Sequence, residues 1–371
     1  MAHRSLGLLF AAILYGGAPA PASETLTAPA PPPPPLAAPK PLPPAPRAEE
    51  DAHLALLLPL KSGAFRRHAE AVHSGFLAAA KVQGAALPLR VYAVEDEARE
   101  AVEEYRRALA AGARVVVGPL TRSGVSALAA SASVMVPTLA LNVPEGGDFP
   151  WPDLYVLSLH IEDEARQAAQ LAWREGRRSA LVVSDESALA RRIHQAFAAE
   201  FARLGGALAA ELSYSGPAGL ARLRQAAGSG AADMAFIALD LPQARLVRPY
   251  LDPLALYATS LVHPGGGGPL VGFDLAGVRF LDMPWMLQPE HPAVMVYPRP
   301  EYREAVELNR FYALGIDAYR IARALAAGRP EPTLDGVTGR LALGADRRFG
   351  RELVLAQFSD GKLVVIGEAR P

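Results

Sequence analysis

Residues 113–142 read ARVVVGPLTRSGVSALAASASVMVPTLALN, and the punctuation of this stretch decides the fold. The β-branched run Val115-Val116-Val117 stops at Gly118-Pro119, passes through Leu120-Thr121-Arg122-Ser123 and enters a helix of small residues. A second apolar run, Val136 to Leu141, follows with Pro137 at its edge and Asn142 at its end. The pattern is strand, turn, helix, strand. A helix of about ten residues between two buried strands is the crossover of a parallel unit, whose right-handed closure puts the turn at the carboxyl edge of the sheet. Open α/β sheets take ligands at that edge, so free helix-start N–H groups, with Thr121 and Ser123, are expected to face a crevice there.

The same alternation extends on both sides. Leu54 to Leu58 is a short continuous apolar run of the kind buried on both faces, and Phe65, Ala69, Val72 and Phe76 then recur at helical spacing. Strand Leu89 to Val94 and helix Glu97 to Ala111 lead into the opening stretch, and strand Tyr155 to Leu159 ends a first lobe. A second cycle starts at Glu162-Asp163-Glu164, whose carboxylates suit the positive end of a helix dipole. Strands are expected at Ala180 to Val183, Ala207 to Leu212, Met234 to Leu239 and Leu254 to Ala258, with helices between them. Beyond the glycine run 265–268 the alternation fails. A strand at Val278 to Leu281, the turn Asp282-Met283-Pro284-Trp285, a long helix from 301 to 327 and three closing strands complete the chain, the last two joined at Asp360-Gly361. The fold class is α/β, with two doubly wound Rossmann-like lobes. Lobe I takes about 52–159 plus 280–345 and lobe II about 160–279 plus 346–371.

Composition narrows the function. The 371 residues carry 37 basic against 38 acidic side chains, with no basic excess for nucleic acid or an anionic membrane. The absence of cysteine excludes disulfides, thiolate metal sites and thiol catalysis. At the N-terminus, His3 and Arg4 precede the apolar segment Leu6 to Tyr15 and the series Ala18-Pro19-Ala20-Pro21-Ala22. These residues read as a secretory signal peptide, 1–22, too short to span a bilayer, and no transmembrane helix is expected in the mature chain. The segment 23–51 is expected to be a disordered linker. Its stretch 28–46 is almost all proline and alanine, a polyproline II spacer reaching roughly 60 Å at about 3.1 Å per residue.

Catalytic patterns are missing. The sequence has no G-x-S-x-G or H-E-x-x-H, and its glycine runs lack the Lys-Ser or Lys-Thr of a phosphate loop. His68 and His73 are five apart on an exposed helix face, where histidines are more often solvated than ligating, and the acids of Glu95-Asp96-Glu97 and Glu162-Asp163-Glu164 stand at helix starts, where a dipole role suits them better than acid–base work. No catalytic residue, metal or cofactor is expected. The cleft candidates are Ser62, Thr121, Ser123 and Asn142 at the first lobe's edge and Ser184, Asp185, Asp240 and Ser260 at the second's. Such residues hold a ligand carboxylate or amine in solute-binding proteins, and equally serve as helix caps and turn residues.

A set of motifs resembles the LppC/LpoA family of penicillin-binding protein activators: LALLLPL, VVVGPL with Gly118, Pro119 and Leu120, VPTLALN, EDEARQAA, LYATS, GVRFLDMPWML, YALGIDAY and GVTGRLAL, in that order. Most particular are Gln243-Ala244-Arg245, Tyr257-Ala258-Thr259-Ser260 and Asp282-Met283-Pro284-Trp285. The resemblance covers about His53 to the C-terminus. It implies a type I periplasmic binding-protein (Venus flytrap) architecture and a non-enzymatic regulator, partner of a class A penicillin-binding protein, in the periplasm at the outer membrane. The sequence departs from that family in having no cysteine to lipidate, and in carrying a proline-rich stretch where a helical-repeat domain would stand. Two readings of Trp285 follow: an apolar knob that anchors an interface, or a hinge plug that closes the cleft from inside, the second being favoured. The competing function is a periplasmic solute-binding protein for a small polar metabolite such as an amino acid or peptide.

Overall fold

Strands buried on both faces need helices on both sides, and the chain supplies them by alternation, interrupted between β4 and β5. The computed structural model describes residues 51–366 except 86, 132, 146–150, 266–268, 301, 303 and 304. The signal peptide, nearly all of the linker, most of the glycine run and the expected start of the long helix therefore lie outside the described residues. The first lobe alternates β1 (His53–Leu58), α1 (Arg66–Gln83), β2 (Leu89–Ala93), α2 (Glu97–Ala110), β3 (Ala113–Val117), α3 (Arg122–Ala130), β4 (Thr138–Ala140) and β5 (Leu154–Val156). Its sheet is parallel, in the order β2-β1-β3-β4-β5. The second lobe continues with α4 (Ile161–Arg174), β6 (Ser179–Ser184), α5 (Ala188–Arg203), β7 (Ala207–Ser213), α6 (Leu220–Gly228), β8 (Met234–Ala238), α7 (Leu241–Val247), β9 (Ala255–Ala258), α8 (Pro269–Asp274) and β10 (Val278–Asp282).

The chain then crosses back. Short helices α9 (Pro284–Leu287) and α10 (Pro292–Met295) lead to α11 (Val306–Ala326), and β11 (Thr333–Asp335), β12 (Arg340–Leu343) and β13 (Phe349–Glu352) form a small antiparallel sheet of their own. Finally β14 (Val354–Ser359) and β15 (Lys362–Val365) add antiparallel strands to the second sheet, whose order is β15-β14-β10-β9-β8-β6-β7. Strand β10 pairs with β9 and β14 along its length, so the crossing out of the second lobe follows Asp282 and does not fall at 280. The return comes at β14 and not at 346, because β13 pairs with β12 in the small sheet.

Helix α11 belongs physically to the first lobe, where it lies against α1 with the backbones nearly touching. A Cβ on Gly75 would stand 1.9 Å from the Tyr312 carbonyl oxygen, and one on Gly315 2.0 Å from that of Val72. Only glycine permits this approach. Alternate residues of each strand feed opposite faces, as strand geometry requires. Ala55, Leu57 and Val116 pack under α2 and α3, while Leu181, Val183, Ile237 and Leu256 pack under α6 and α7. The other faces of both sheets join one apolar cluster that runs from Leu54, Leu56 and Phe76 through Trp285 and Tyr312 to Phe197 and Phe236. The lobes thus share a core.

Candidate functional site

At the carboxyl edge of a parallel sheet, each strand-to-helix turn presents backbone N–H groups that require an acceptor. In the first lobe the acceptor is the protein's own. Asp96 caps α2 by accepting from Ala98 N at 3.0 Å, and the next residue, Glu97, turns inward until 2 % of its surface remains exposed. Its carboxylate accepts from Leu120 N at 2.9 Å and from Thr121 N at 2.6 Å. Burial pushes the Glu97 carboxyl up, and the donors from Leu120 and Thr121 act against that shift. The free N–H groups expected at this edge are therefore occupied, because an acid that the sequence assigns to a helix dipole reaches across to them.

The named polar residues of this edge are engaged in the same local way. Thr121 caps α3 by accepting from Gly124 N at 3.2 Å, and Ser123 Oγ lies 3.4 Å from Thr121 Oγ1. Ser62 accepts from Phe65 N at 3.4 Å. Asn142 donates to the Leu120 carbonyl at 3.0 Å and accepts from Val143 N at 3.0 Å. Gly118 holds the strand end with φ 111°, and a Cβ there would meet the Leu57 carbonyl oxygen at 1.9 Å. Pro119 follows it, with its carbonyl accepting from Leu141 N.

The second edge uses the same device with more charge. Glu164, in the first turn of α4, accepts from Ser260 N at 2.9 Å. Beside it Asp282, at the end of β10 and 0 % exposed, accepts from His263 Nδ1 at 2.6 Å and from Arg310 Nη2 at 2.6 Å. Arg310 comes from α11 of the first lobe and also donates to the Ser260 carbonyl at 3.1 Å. Burial lifts the Glu164 carboxyl to about 7, with the Asp282 charge adding to the lift and Arg351 and Arg310 opposing it. Burial also opposes the charge of Asp282, yet Arg310 and His263 outweigh it and hold that carboxyl at about 2. Two carboxyls and a histidine so close resemble an acid–base set, but each is buried and spent on its neighbours.

Around this cluster, Asp185 accepts from Ser187 N at 2.8 Å and Asp240 caps α7 through Gln243 N at 2.9 Å. Ser184 is buried at the end of β6. Arg245 pairs with Asp274 of α8, and Tyr257, buried in β9, donates to Glu175, which also pairs with Arg279. Pro284 starts α9, and Trp285 is wholly buried against Tyr312, with the Arg299 guanidinium 4.0 Å above its ring. Trp285 is therefore no exposed knob but part of the apolar cluster that takes in residues of both lobes. A further contact crosses at the rim. Arg122 of α3 lies beside His160 and 3.6 Å from Glu162, which Arg192 of α5 holds at 2.9 Å.

Several residues of this network escape sequence reasoning: the inward turn of Glu97 and Glu164, and the parts played by His263, Arg310, Arg351 and Asp317. Asp317, fully buried, accepts from Val337 N at 3.1 Å and from Thr338 N at 2.8 Å, joining YALGIDAY to GVTGRLAL. A signal was present, since a lone acid in a helix apolar on nearly every side requires an internal partner.

Comparison with known proteins places this geometry. The family model described as "LppC putative lipoprotein" matches residues 47–227 and 224–361. A penicillin-binding protein activator LpoA of Erwinia tasmaniensis is 28% identical over 302 residues, covering 68% of this chain and 45% of the relative. That of Pantoea ananatis is 30% identical over 301 residues, covering 68% and 44%. The chain thus spans less than half the length of these curated relatives. Among solved structures, a "putative branched-chain amino acid ABC transporter" protein of Chromobacterium violaceum superposes with a TM-score of 0.72 at 42% identity, covering 82% of this chain and 99% of the other. The C-domain of Haemophilus influenzae LpoA, described as a regulator of PBP1A, gives 0.71 at 25% identity, covering 85% and 100%. The fold is that of the type I periplasmic binding proteins.

Proposed function

The chain belongs to the LppC family, and from that premise we propose that it is a non-enzymatic regulator of peptidoglycan synthesis that binds a class A penicillin-binding protein and stimulates its transpeptidase activity. The reading places it in the periplasm, exported by a cleaved signal peptide and working at the outer membrane. Its main support beyond family membership is the internal occupation of both sheet edges, where Glu97 holds the N–H groups of Leu120 and Thr121 and Glu164 that of Ser260. A solute-binding protein leaves such donors for its ligand. A surface used for protein contact has no need of them. Stimulation then follows when the two-lobed surface binds one arrangement of the synthase more tightly than another and shifts its population.

The test is cross-linking by the organism's own class A synthase, with and without the purified chain, together with a direct binding measurement. A rise in cross-linked product and a complex are expected. No complex and no rise would remove this reading.

A second reading, delivery of a small polar metabolite such as an amino acid or peptide, is favoured by the description of the Chromobacterium violaceum protein. It predicts stabilisation of about 2.7 kcal/mol by one such ligand at a hundred times its dissociation constant. The occupied sheet edges weigh against it, and a thermal-shift screen over amino acids, peptides and muropeptides separates the two.

A further inference from the structure

We propose that Arg310 is an internal ligand of the second lobe, and that by filling the carboxyl edge of β9 and β10 it locks the two lobes in one arrangement. The side chain leaves α11, which the Gly75 and Gly315 contacts fix to α1 of the first lobe. It ends in the second lobe on Asp282 at 2.6 Å and on the Ser260 carbonyl at 3.1 Å, with 16% of its side-chain surface reached by solvent. A guanidinium is suited to this post because its fan of donors engages a carboxylate and a carbonyl at once and cannot lose its charge.

The surroundings fit a lock. Asp282 is fully buried and is held on its other side by His263. Swinging the lobes apart would strip Arg310 from Asp282 and leave a buried carboxylate with one partner fewer, which opposes the motion. Around the ion pair, the apolar cluster that includes Trp285 and Tyr312 passes from one lobe to the other, and the Arg122–Glu162 pair closes the rim. In a flytrap protein a ligand bridges the lobes and closes them. Here a side chain of the first lobe takes the bridging position permanently.

The inference does not rest on the synthase reading, and its test uses this chain alone. Because the sequence has no cysteine, nitroxide labels can be placed at Glu103→Cys on α2 and Arg222→Cys on α6, both exposed and in different lobes. The interlabel distance distribution, measured by pulsed electron spin resonance, is expected to be one narrow peak. Arg310→Met should broaden that peak at least twofold or add a second one. If Arg310→Met does not fold, Asp282→Asn gives the same reading, since it keeps the side chain's shape and removes the charge that Arg310 grips. A broad distribution in the unsubstituted chain, or an unchanged narrow peak in the folded variants, would overturn the proposal.

Discussion

The two sheet edges solve one problem with one residue type and arrive at different results. In each lobe a glutamate from the first turn of a helix bends into the strand-to-helix turns and accepts backbone N–H groups. Glu97 does so within its own lobe, with donors from Leu120 and Thr121 and a single burial-driven shift of its carboxyl. Glu164 accepts from Ser260 N, stands beside a second carboxylate, Asp282, and has the arginine of the other lobe close by. Backbone donors alone make a turn rigid, whereas charges brought from separate lobes make the arrangement of those lobes part of the electrostatics. The first edge is a finished part. The second is a joint.

The largest effect should come from breaking the joint. Asp282→Ala leaves Arg310 without its carboxylate in a nearly closed site, and such a loss costs about 3–5 kcal/mol, measurable by denaturant unfolding. A cost below about 1 kcal/mol would show that Arg310 relaxes to solvent. Next comes pH. The Glu164 carboxyl lies above its ordinary 4.5, at about 7, so its contribution to stability is complete below 4.5 and is lost as pH rises through about 7. The chain should therefore lose about 3 kcal/mol between those limits, and Glu164→Gln should flatten that part of the profile. Asp282 has the opposite sign, with its contribution present above the ordinary 3.8 and lost as pH falls through about 2.

At the first edge, Glu97→Ala leaves the N–H groups of Leu120 and Thr121 without their acceptor and should cost about 2 kcal/mol. The interlobe distance should stay unchanged, in contrast to Arg310→Met, and a shift there would erase the distinction between the two edges. The smallest effect is expected from Thr121→Ala, which removes one helix cap at about 1 kcal/mol in a thermal melt.

Most of the alternation was legible because apolar runs such as Leu54–Leu58 and Val115–Val117 are strands that lie under helices on both faces. The crossings between the lobes near 280 and 346 are harder to read, because pattern does not determine partner. Both β10 and β13 read as strands, but only pairing shows which sheet each joins. Among the site residues, the positions of Thr121, Asn142 and Asp240 at sheet edges follow from local sequence, and so does the helix capping by Thr121 and Asp240. The internal acids could not be read that way. Glu97 and Glu162 look alike beside their neighbours, yet one seals a turn and the other meets Arg122 and Arg192 at the rim, because the partners lie far away in sequence. Arg310 shows the same limit. Its role depends on a crossing of the chain that no local window contains.

The contact between α1 and α11 has a bearing on how the molecule comes into being. Tyr319 donates to the Gly84 carbonyl across 235 positions of chain, and the glycine pair beside it permits no filler in place of the distant helix. The first lobe therefore cannot be completed by its own opening segment. It stays unfinished until the late part of the chain has been made and delivered, which sets a slow, long-range step at the end of folding. A chain cut near residue 300 should yield neither lobe whole, and the boundaries for dissecting this protein lie in space rather than along its sequence.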